Sequence, residues 1–168
     1  MRYGFNFCPS CGKPVKRNKK RISCQYCFFT FYINPTPTNA LILENEKGEI
    51  LLTKRKYPPK KGFWDLPGGF VEQNETIEES LIREIKEELG ITIDKIEYFG
   101  SYTGLYLYNK FQYQTLSSVF TTKYKGEKIT VNDDVVEYKF FAKDKIPFIR
   151  LSFIDIKNAL KKFIRLST

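Results

Sequence analysis

Three carboxylates lie close together in one acidic stretch of the chain: Glu84, Glu87 and Glu88. If this stretch is an α-helix, with about 100° of rotation per residue, all three fall within about 100° of one another. Like charges at these spacings repel by about 0.2–0.5 kcal/mol per pair on an exposed helix. A hard divalent cation such as Mg²⁺ or Mn²⁺ would relieve that repulsion, because it prefers oxygen ligands. The alternative is an ordinary solvated helix, since Glu is a good helix former.

The helix that must carry these carboxylates has recognisable start and stop signals. Thr76 followed by Glu79 is a capping-box start, and Gly90 occupies the position of a left-handed C-cap. The apolar residues of the helix lie next to the acidic cluster, so the carboxylates border a buried stripe rather than the solvated face. That stripe consists of Leu81, Ile82, Ile85 and Leu89.

A glycine pair, Gly68 and Gly69, comes shortly before this helix. Glycine adopts positive φ and allows close backbone approach, which a phosphate or metal site requires. Glu75 lies between the glycines and the helix, where it is placed to pair with Arg83. The glycine turn therefore favours a metal site over a solvated acidic helix.

Together these residues resemble the Nudix box of the Nudix hydrolase family. The box reads Gly, five residues, Glu, seven residues, Arg-Glu-apolar, one residue, Glu-Glu, one residue, Gly-apolar. Every position is filled, by Gly69, Glu75, Arg83, Glu84, Ile85, Glu87, Glu88, Gly90 and Ile91. The resemblance implies an α/β/α sandwich with a mixed β-sheet. It also implies hydrolysis of a nucleoside diphosphate linked to another group, and a salt bridge between Glu75 and Arg83 that holds the loop on the helix.

The resemblance also assigns roles to the carboxylates. Glu84, Glu87 and Glu88 would hold Mg²⁺ or Mn²⁺ against the diphosphate, and we expect Glu84 to position or deprotonate the attacking water. In other members of the family the base comes from outside the box. Glu137 is the candidate of that kind here, with Asp133 and Asp134 behind it. Because the chain has no histidine, acid–base chemistry falls to carboxylates, Lys or Tyr.

Four cysteines near the start of the chain form two Cys-x-x-Cys pairs, Cys8 with Cys11 and Cys24 with Cys27. Two such pairs are typical of a tetrahedral Zn²⁺ site, and the segment is too short to fold on apolar burial alone. The alternative is two disulfides, which a reducing compartment disfavours. We therefore expect a small zinc ribbon with structural Zn²⁺.

The net charge of +9 is unevenly spread, since seven basic residues and no acidic ones precede residue 35. Six residues at the tip of the ribbon, 16–21, read Lys-Arg-Asn-Lys-Lys-Arg. Such a run either contacts the phosphates of a nucleic acid or forms a solvated turn between the knuckles. The aromatic residues behind it either join such a surface or pack the ribbon against its neighbour. They are Tyr26, Phe28, Phe29 and Phe31.

The alternating patterns predict a ribbon over residues 1–34, a linker over 35–37 and the Nudix domain over 38–168. Within the domain we expect strands at 38–44, 49–55, 95–103, 111–122 and 135–142, and a closing helix at 152–165. Three residues are candidates for substrate binding: Gly69 in the glycine turn, Arg55 at the end of a strand, and Tyr102 in a Tyr-rich segment read as a loop. Such a loop either stacks a nucleobase or packs in the ordinary way.

A zinc ribbon ahead of a Nudix domain is similar to the arrangement in the NADH pyrophosphatases. Those enzymes carry a Ser-Gln-Pro-Trp-Pro-Phe-Pro segment after the box, whereas this chain has Gly-Ser-Tyr-Thr-Gly-Leu-Tyr at 100–106. The substrate therefore stays open among NAD(H), ADP-ribose, FAD, a dinucleoside polyphosphate and a sugar nucleotide. The alternatives are an RNA-associated protein that processes caps or 5′ ends, and a non-catalytic nucleotide sensor.

The chain has no apolar segment typical of a signal peptide near its start and no apolar run long enough to cross a membrane. We therefore expect a cytoplasmic protein with a nucleotide diphosphate as its main partner and no membrane contact. A weak nucleic-acid contact through the ribbon and a homodimer complete the expected partners.

Overall fold

The computed structural model describes residues 6–109, 111–132 and 134–167; Asp133, one of the candidate bases, lies outside the described residues. The ribbon is a three-stranded antiparallel sheet of β1 (Lys16–Arg17), β2 (Arg21–Ser23) and β3 (Thr30–Tyr32). Only Cys8, Ile22 and Cys24 are fully buried among its described residues. So small an apolar core cannot stabilise a domain, which is consistent with a metal-dependent ribbon.

The remainder of the described chain forms a mixed six-stranded sheet. Parallel strands β4 (Thr36–Glu44) and β8 (Phe111–Lys123) lie side by side at its centre, and β7 (Glu97–Tyr108) pairs antiparallel with β8 at one edge. On the other side, β5 (Ile50–Arg55) pairs antiparallel with β6 (Trp64–Asp65) and with β9 (Val135–Phe141). Two short 3₁₀ turns, Lys143–Lys145 and Phe148–Arg150, connect β9 to the last helix.

One helix covers each face of this sheet, α1 (Ile77–Leu89) on one side and α2 (Ile154–Leu166) on the other. Successive strand residues point to opposite faces, so the continuous apolar run of β4 supplies both cores. Leu41 and Leu43 pack with the buried residues of α1, whereas Ala40 and Ile42 pack with those of α2. The predicted α/β/α sandwich with a mixed sheet is confirmed.

Two local predictions differ from the structure. The strand β4 begins at Thr36, so two of the three residues predicted as linker are paired with β8. The Tyr-rich segment is a strand rather than a loop, because β7 continues to Tyr108 and pairs with β8 along its whole length. Alternating Tyr and Leu residues favour an extended strand, since aromatic and branched side chains pack well on a pleated surface.

Among the described residues, no helix is both long enough and apolar enough to cross a membrane.

Candidate active site

Both ends of α1 are fixed by capping, which sets the residues at which the helix begins and ends. The Thr76 hydroxyl accepts a hydrogen bond from the Glu79 N–H (3.1 Å), and the Glu79 carboxylate accepts one from the Thr76 N–H (2.7 Å). At the other end Gly90 adopts a left-handed conformation with φ 69°, and its N–H donates to the Lys86 carbonyl. The predicted capping box and C-cap are both present.

The three carboxylates of the box lie at three depths. Glu88 is only 5% exposed and accepts a hydrogen bond from the Gly68 N–H at 3.1 Å, whereas the Glu87 side chain is 47% exposed. Burial, together with the charge of Asp134, raises the pKa of Glu88 well above its usual value. Burial also raises the pKa of Glu84, although Arg83 opposes the shift. Buried carboxylates with raised pKa values need a proton or a cation beside them, and Mg²⁺ and Mn²⁺ prefer oxygen ligands of this kind.

The glycine turn has no space for a side chain at either Gly68 or Gly69. Gly68 has φ +134°, and a Cβ there would lie 2.6 Å from the Asn39 carbonyl oxygen. A Cβ on Gly69 would lie 2.3 Å from Oε1 of Glu84. The backbone of Gly69 is held by Asn39, whose side-chain oxygen accepts from the Gly69 N–H (3.1 Å) and whose N–H donates to the Gly69 carbonyl (2.9 Å). The turn therefore lies directly against the Glu84 carboxylate.

Arg83 connects the loop to the acidic face of α1. Its guanidinium makes a two-point contact with Glu75, through Nε to Oε2 (3.0 Å) and Nη2 to Oε1 (2.8 Å). This contact lowers the pKa of Glu75 to about 2. Nη1 of the same guanidinium donates to Glu84 (3.0 Å) and to Glu87 (2.9 Å). Arg83 thus neutralises part of the negative charge and fixes the loop on the helix.

The two candidate bases outside the box are placed differently. Glu137 lies on β9 opposite Lys54, with which it forms a half-exposed ion pair of 2.9 Å. Asp134 lies just before β9 and lines a small cavity together with Gly68 and Glu88. Its charge contributes to the raised pKa values of Glu84 and Glu88. The structure therefore brings Asp134, rather than Glu137, to the carboxylate cluster.

Residues of the glycine turn and of the first turn of α2 line one cleft. Arg55 lines it in a fixed position, because Nη1 contacts the Asp65 carboxylate (3.2 Å) and Nε donates to the Pro59 carbonyl (3.0 Å). The Arg55 guanidinium also lies 5.2 Å above the Phe153 ring. Burial raises the pKa of Asp65 to about 6 in spite of Arg55.

Two of the three predicted substrate contacts, Gly69 and Arg55, line this cleft. Tyr102 does not; it stacks on Phe99 in the core beneath α2, with its hydroxyl buried. The neighbouring Tyr106, Phe153 and Asp155 line the cleft instead. Tyr106 belongs to the Tyr-rich segment, so the sequence indicated the region but not the residue. No sequence signal indicated Asp155, which reads as an ordinary acidic residue in the first turn of a helix.

The four cysteine sulfurs of the ribbon converge on one point, all within 4.8 Å of one another. Cys8 and Cys27 have their sulfurs 3.5 Å apart, and Cys11 and Cys24 have theirs 3.6 Å apart. Zinc–sulfur bonds of about 2.3 Å in a tetrahedron place sulfurs about 3.8 Å apart, so the cluster has the dimensions of a Cys₄ site. Backbone N–H groups, first that of Cys27, lower the pKa of Cys24 to about 7, whereas burial and the neighbouring thiols raise the pKa of Cys11 to about 12 despite a backbone hydrogen bond at Lys13.

Known proteins resemble this chain in sequence and in structure. The family model described as NUDIX domain matches residues 34–165. An ADP-ribose pyrophosphatase of Methanocaldococcus jannaschii is 37% identical over 139 residues, which cover 82% of this chain and 78% of that protein. An NAD-capped RNA hydrolase, NudC, of Haemophilus influenzae is 37% identical over 100 residues; these cover 56% of this chain but only 37% of that longer protein. The crystal structure of a NUDIX hydrolase from Nitrosomonas europaea superimposes with a TM-score of 0.72 at 28% identity, covering 95% of this chain and 90% of that one.

Proposed function

Because the chain belongs to the Nudix hydrolase family, we propose that it is a pyrophosphohydrolase that cleaves a nucleoside diphosphate linked to another group, ADP-ribose foremost. One observation carries the proposal: the backbone of Gly69 lies against the Glu84 carboxylate, with Glu87 and Glu88 on the same helix. A diphosphate in the cleft beside Gly69 would therefore meet the carboxylate cluster. The resemblance in length and sequence to an ADP-ribose pyrophosphatase favours ADP-ribose among the open substrates.

Glu84, Glu87 and Glu88 would hold Mg²⁺ or Mn²⁺. When bound, such an ion neutralises charge on phosphate oxygens and lowers the pKa of a water molecule that it binds. Arg83 keeps Glu84 and Glu87 oriented through its Nη1 contacts. Gly69 leaves space beside the cluster that a larger residue would fill.

We assign the role of general base to Glu84, with Asp134 as the candidate from outside the box. Burial raises the pKa of Glu84, which brings it closer to the neutral range in which a carboxylate accepts a proton efficiently. Asp134 lines the same small cavity as Glu88. Comparing Asp134→Asn with Glu137→Gln distinguishes the two positions outside the box. We expect the first to lower kcat by about 100-fold and the second to change it little, because proton transfer contributes about 10²–10⁴-fold.

The hydrolase proposal is tested with Glu88→Gln and Glu87→Gln. Each variant is incubated with ADP-ribose and Mg²⁺ or Mn²⁺, and AMP and ribose 5-phosphate are measured by mass spectrometry. We expect both variants to lose turnover, whereas Glu78→Gln, an exposed residue in the first turn of the same helix, keeps it. Undiminished turnover in the Glu88 variant would refute the assignment. Tight binding without turnover by the unaltered protein would support the nucleotide sensor instead.

We propose that the ribbon holds one structural Zn²⁺ through Cys8, Cys11, Cys24 and Cys27. The support is the convergence of the four sulfurs together with the small number of buried side chains around them. Metal binding would then contribute most of the folding free energy of this segment. A reduced four-thiol cluster is typical of a reducing compartment, so we retain the cytoplasm as the proposed location. The homodimer stays a prediction.

The ribbon supports a second function, contact with nucleic acid. Two of its aromatic side chains are largely exposed, Phe28 at 84% and Tyr26 at 67%. They accompany the basic tip at 16–21, and exposed aromatic rings next to basic residues can stack bases and contact phosphates. The similarity to an NAD-capped RNA hydrolase gives this surface a chemically reasonable partner, the RNA that follows a nucleotide cap.

The nucleic-acid contact is tested by measuring affinity for single-stranded RNA at several salt concentrations. We expect Lys19→Glu to weaken binding and to reduce the slope of log K against log salt by about 0.7, the contribution of one phosphate contact on a single strand. Lys47→Glu, in the turn between β4 and β5, makes the same charge change away from the ribbon and should have little effect. Binding that is independent of salt would exclude the phosphate contact.

A further inference from the structure

The cleft contains a buried carboxylate that the proposed chemistry does not use. Asp155, in the first turn of α2, is only 6% exposed and lines the cleft that also contains Gly69. Its Oδ1 has no hydrogen-bond partner in the part of the chain that the structure describes. A buried acceptor without a partner costs about 1–3 kcal/mol. Such a group calls for a donor from outside the chain, and a bound ligand is one source of it.

The fold makes room for this carboxylate. Gly104 on β7 lies opposite Thr115 on β8, and both face the start of α2. A Cβ on Gly104 would lie 2.8 Å from the Asp155 carboxylate and 2.6 Å from the Thr115 hydroxyl. The glycine therefore leaves space for a polar end of the cleft in which Asp155, Thr115 and Ser117 are all buried.

The charges around Asp155 define what it can bind. Arg55 is the cation that lines this cleft among the described residues, and it already contacts Asp65 and the Pro59 carbonyl. Its guanidinium lies over Phe153 rather than being paired with Asp155. A carboxylate accepts hydrogen bonds, so its ligand must present N–H or O–H groups. A phosphate does not fit beside it, because two anions would be buried together.

We propose that Asp155 determines specificity by accepting a hydrogen bond from a neutral N–H or O–H donor on one of the groups joined by the diphosphate. This rests on the proposed function, which places the diphosphate at Gly69, a residue that lines the same cleft. Two parts of ADP-ribose offer such donors: the exocyclic amine of adenine and the hydroxyls of the terminal ribose. Both would use the same chemistry at Asp155.

Three substrates distinguish the two sources: ADP-ribose, its hypoxanthine analogue, and an analogue with a deoxygenated terminal ribose. If Asp155 reads the amine, the unaltered protein should prefer ADP-ribose over the hypoxanthine analogue by about 10- to 100-fold in kcat/KM, because losing the donor leaves the carboxylate unpaired. If Asp155 reads the ribose, the deoxy analogue should suffer that loss. Equal kcat/KM for all three substrates would overturn the proposal without any variant.

Asp155→Asn tests the residue itself while keeping its volume. We expect the preference to fall at least tenfold, mainly through KM, while Asp144→Asn, an exposed aspartate in the turn after β9, keeps it. Thermal melting of both variants checks that they fold. An unchanged preference in folded Asp155→Asn would overturn the role of Asp155.

If the hydrolase proposal fails, the role of Asp155 is tested by ligand binding instead of turnover. If the unaltered protein hydrolyses none of the three substrates, calorimetry compares binding of AMP with IMP, and of ribose 5-phosphate with 2-deoxyribose 5-phosphate. A preference of about tenfold that Asp155→Asn abolishes supports the donor-binding role. Equal binding within both pairs overturns it.

Discussion

The Glu84 carboxylate lies in the space that a side chain on Gly69 would fill, since a Cβ there would be 2.3 Å from Oε1. The two residues come from different elements, a turn held by Asn39 and the middle of α1. Their contact joins the part of the cleft that would receive a diphosphate to the acidic face of the helix. A methyl group added at Gly69 would disturb this contact directly.

Gly69→Ala should reduce turnover far more than stability. The methyl group displaces the end of a flexible Glu84 side chain, and a shift of about 1 Å at a reacting centre costs about 100-fold in rate. We expect kcat for ADP-ribose to fall by about that factor, with a change in unfolding free energy below about 1 kcal/mol. Gly100→Ala is the control, because its Cβ would meet no described side chain closer than 3.4 Å. Normal turnover in Gly69→Ala would contradict the assigned position of Glu84.

The free energy of unfolding of Asp65→Asn, relative to that of the unaltered protein, should increase as the pH rises. The pKa of Asp65 rises from 3.8 to about 6 on folding, because burial disfavours its charged form. The folded chain therefore binds this proton more tightly than the unfolded chain. The contribution of Asp65 to stability is full below about pH 3.8 and is lost as the pH rises through 6. Asparagine does not titrate, so the Asp65→Asn variant does not lose stability in this way as the pH rises.

Urea denaturation at about pH 4 and pH 7 measures that difference. The free energy of unfolding of Asp65→Asn, relative to the unaltered protein, should increase by up to about 3 kcal/mol between the two pH values, as 1.36 kcal/mol per pKa unit implies. Asp144→Asn, which is exposed, should show no such increase. A difference that does not depend on pH would contradict the raised pKa.

Thr76→Ala should destabilise the domain by about 1 kcal/mol, because it removes the hydroxyl that accepts from the Glu79 N–H at the start of α1. The midpoint of urea unfolding should fall with an unchanged slope. Thr92→Ala, an exposed threonine after the same helix, provides the comparison and should be nearly neutral. An equal effect of the two substitutions would show that the capping box contributes little.

Removing metal from the ribbon should unfold that segment alone. We expect one Zn²⁺ per chain, released by a chelator together with the appearance of four reactive thiols, since the four cysteines of the chain all lie in the ribbon. The thermal transition of the sandwich should remain. Cys11→Ser should release zinc at lower chelator concentration. Four thiols that react rapidly before chelation would exclude a metal-bound cluster.

The layered fold was predictable because each of its main signals is local. The capping residues fix α1, and the apolar run of β4 indicates a strand buried on both faces. The prediction of a loop for the Tyr-rich segment is wrong, although Gly104 and Asn109 are residue types common in loops. Pairing with β8 outweighs that tendency along the whole hairpin. The composition of the segment does not reveal this pairing, because the pairing depends on the partner strand β8.

The positions of Asp134 and Glu137 relative to the carboxylate cluster depend on strand pairing, not on local sequence. Both are acidic and close in sequence, but only the register of β9 against β5 decides which reaches the cluster. That register shifts between Lys54 and Arg55, and it places Glu137 opposite Lys54. Sequence alone does not fix a strand register, because the neighbouring strand lies far away along the chain.

The sequence by itself determined the acidic helix, the glycine turn and the four-cysteine cluster. Helix periodicity and knuckle spacing fix the relative positions of residues that lie within a few turns of one another. The tertiary structure alone decided the cleft, where Arg55, Gly69 and Asp155 meet from a strand, a turn and the second helix. Those positions depend on strand pairing and on packing across both faces of the sheet, so no local pattern in the sequence contains them.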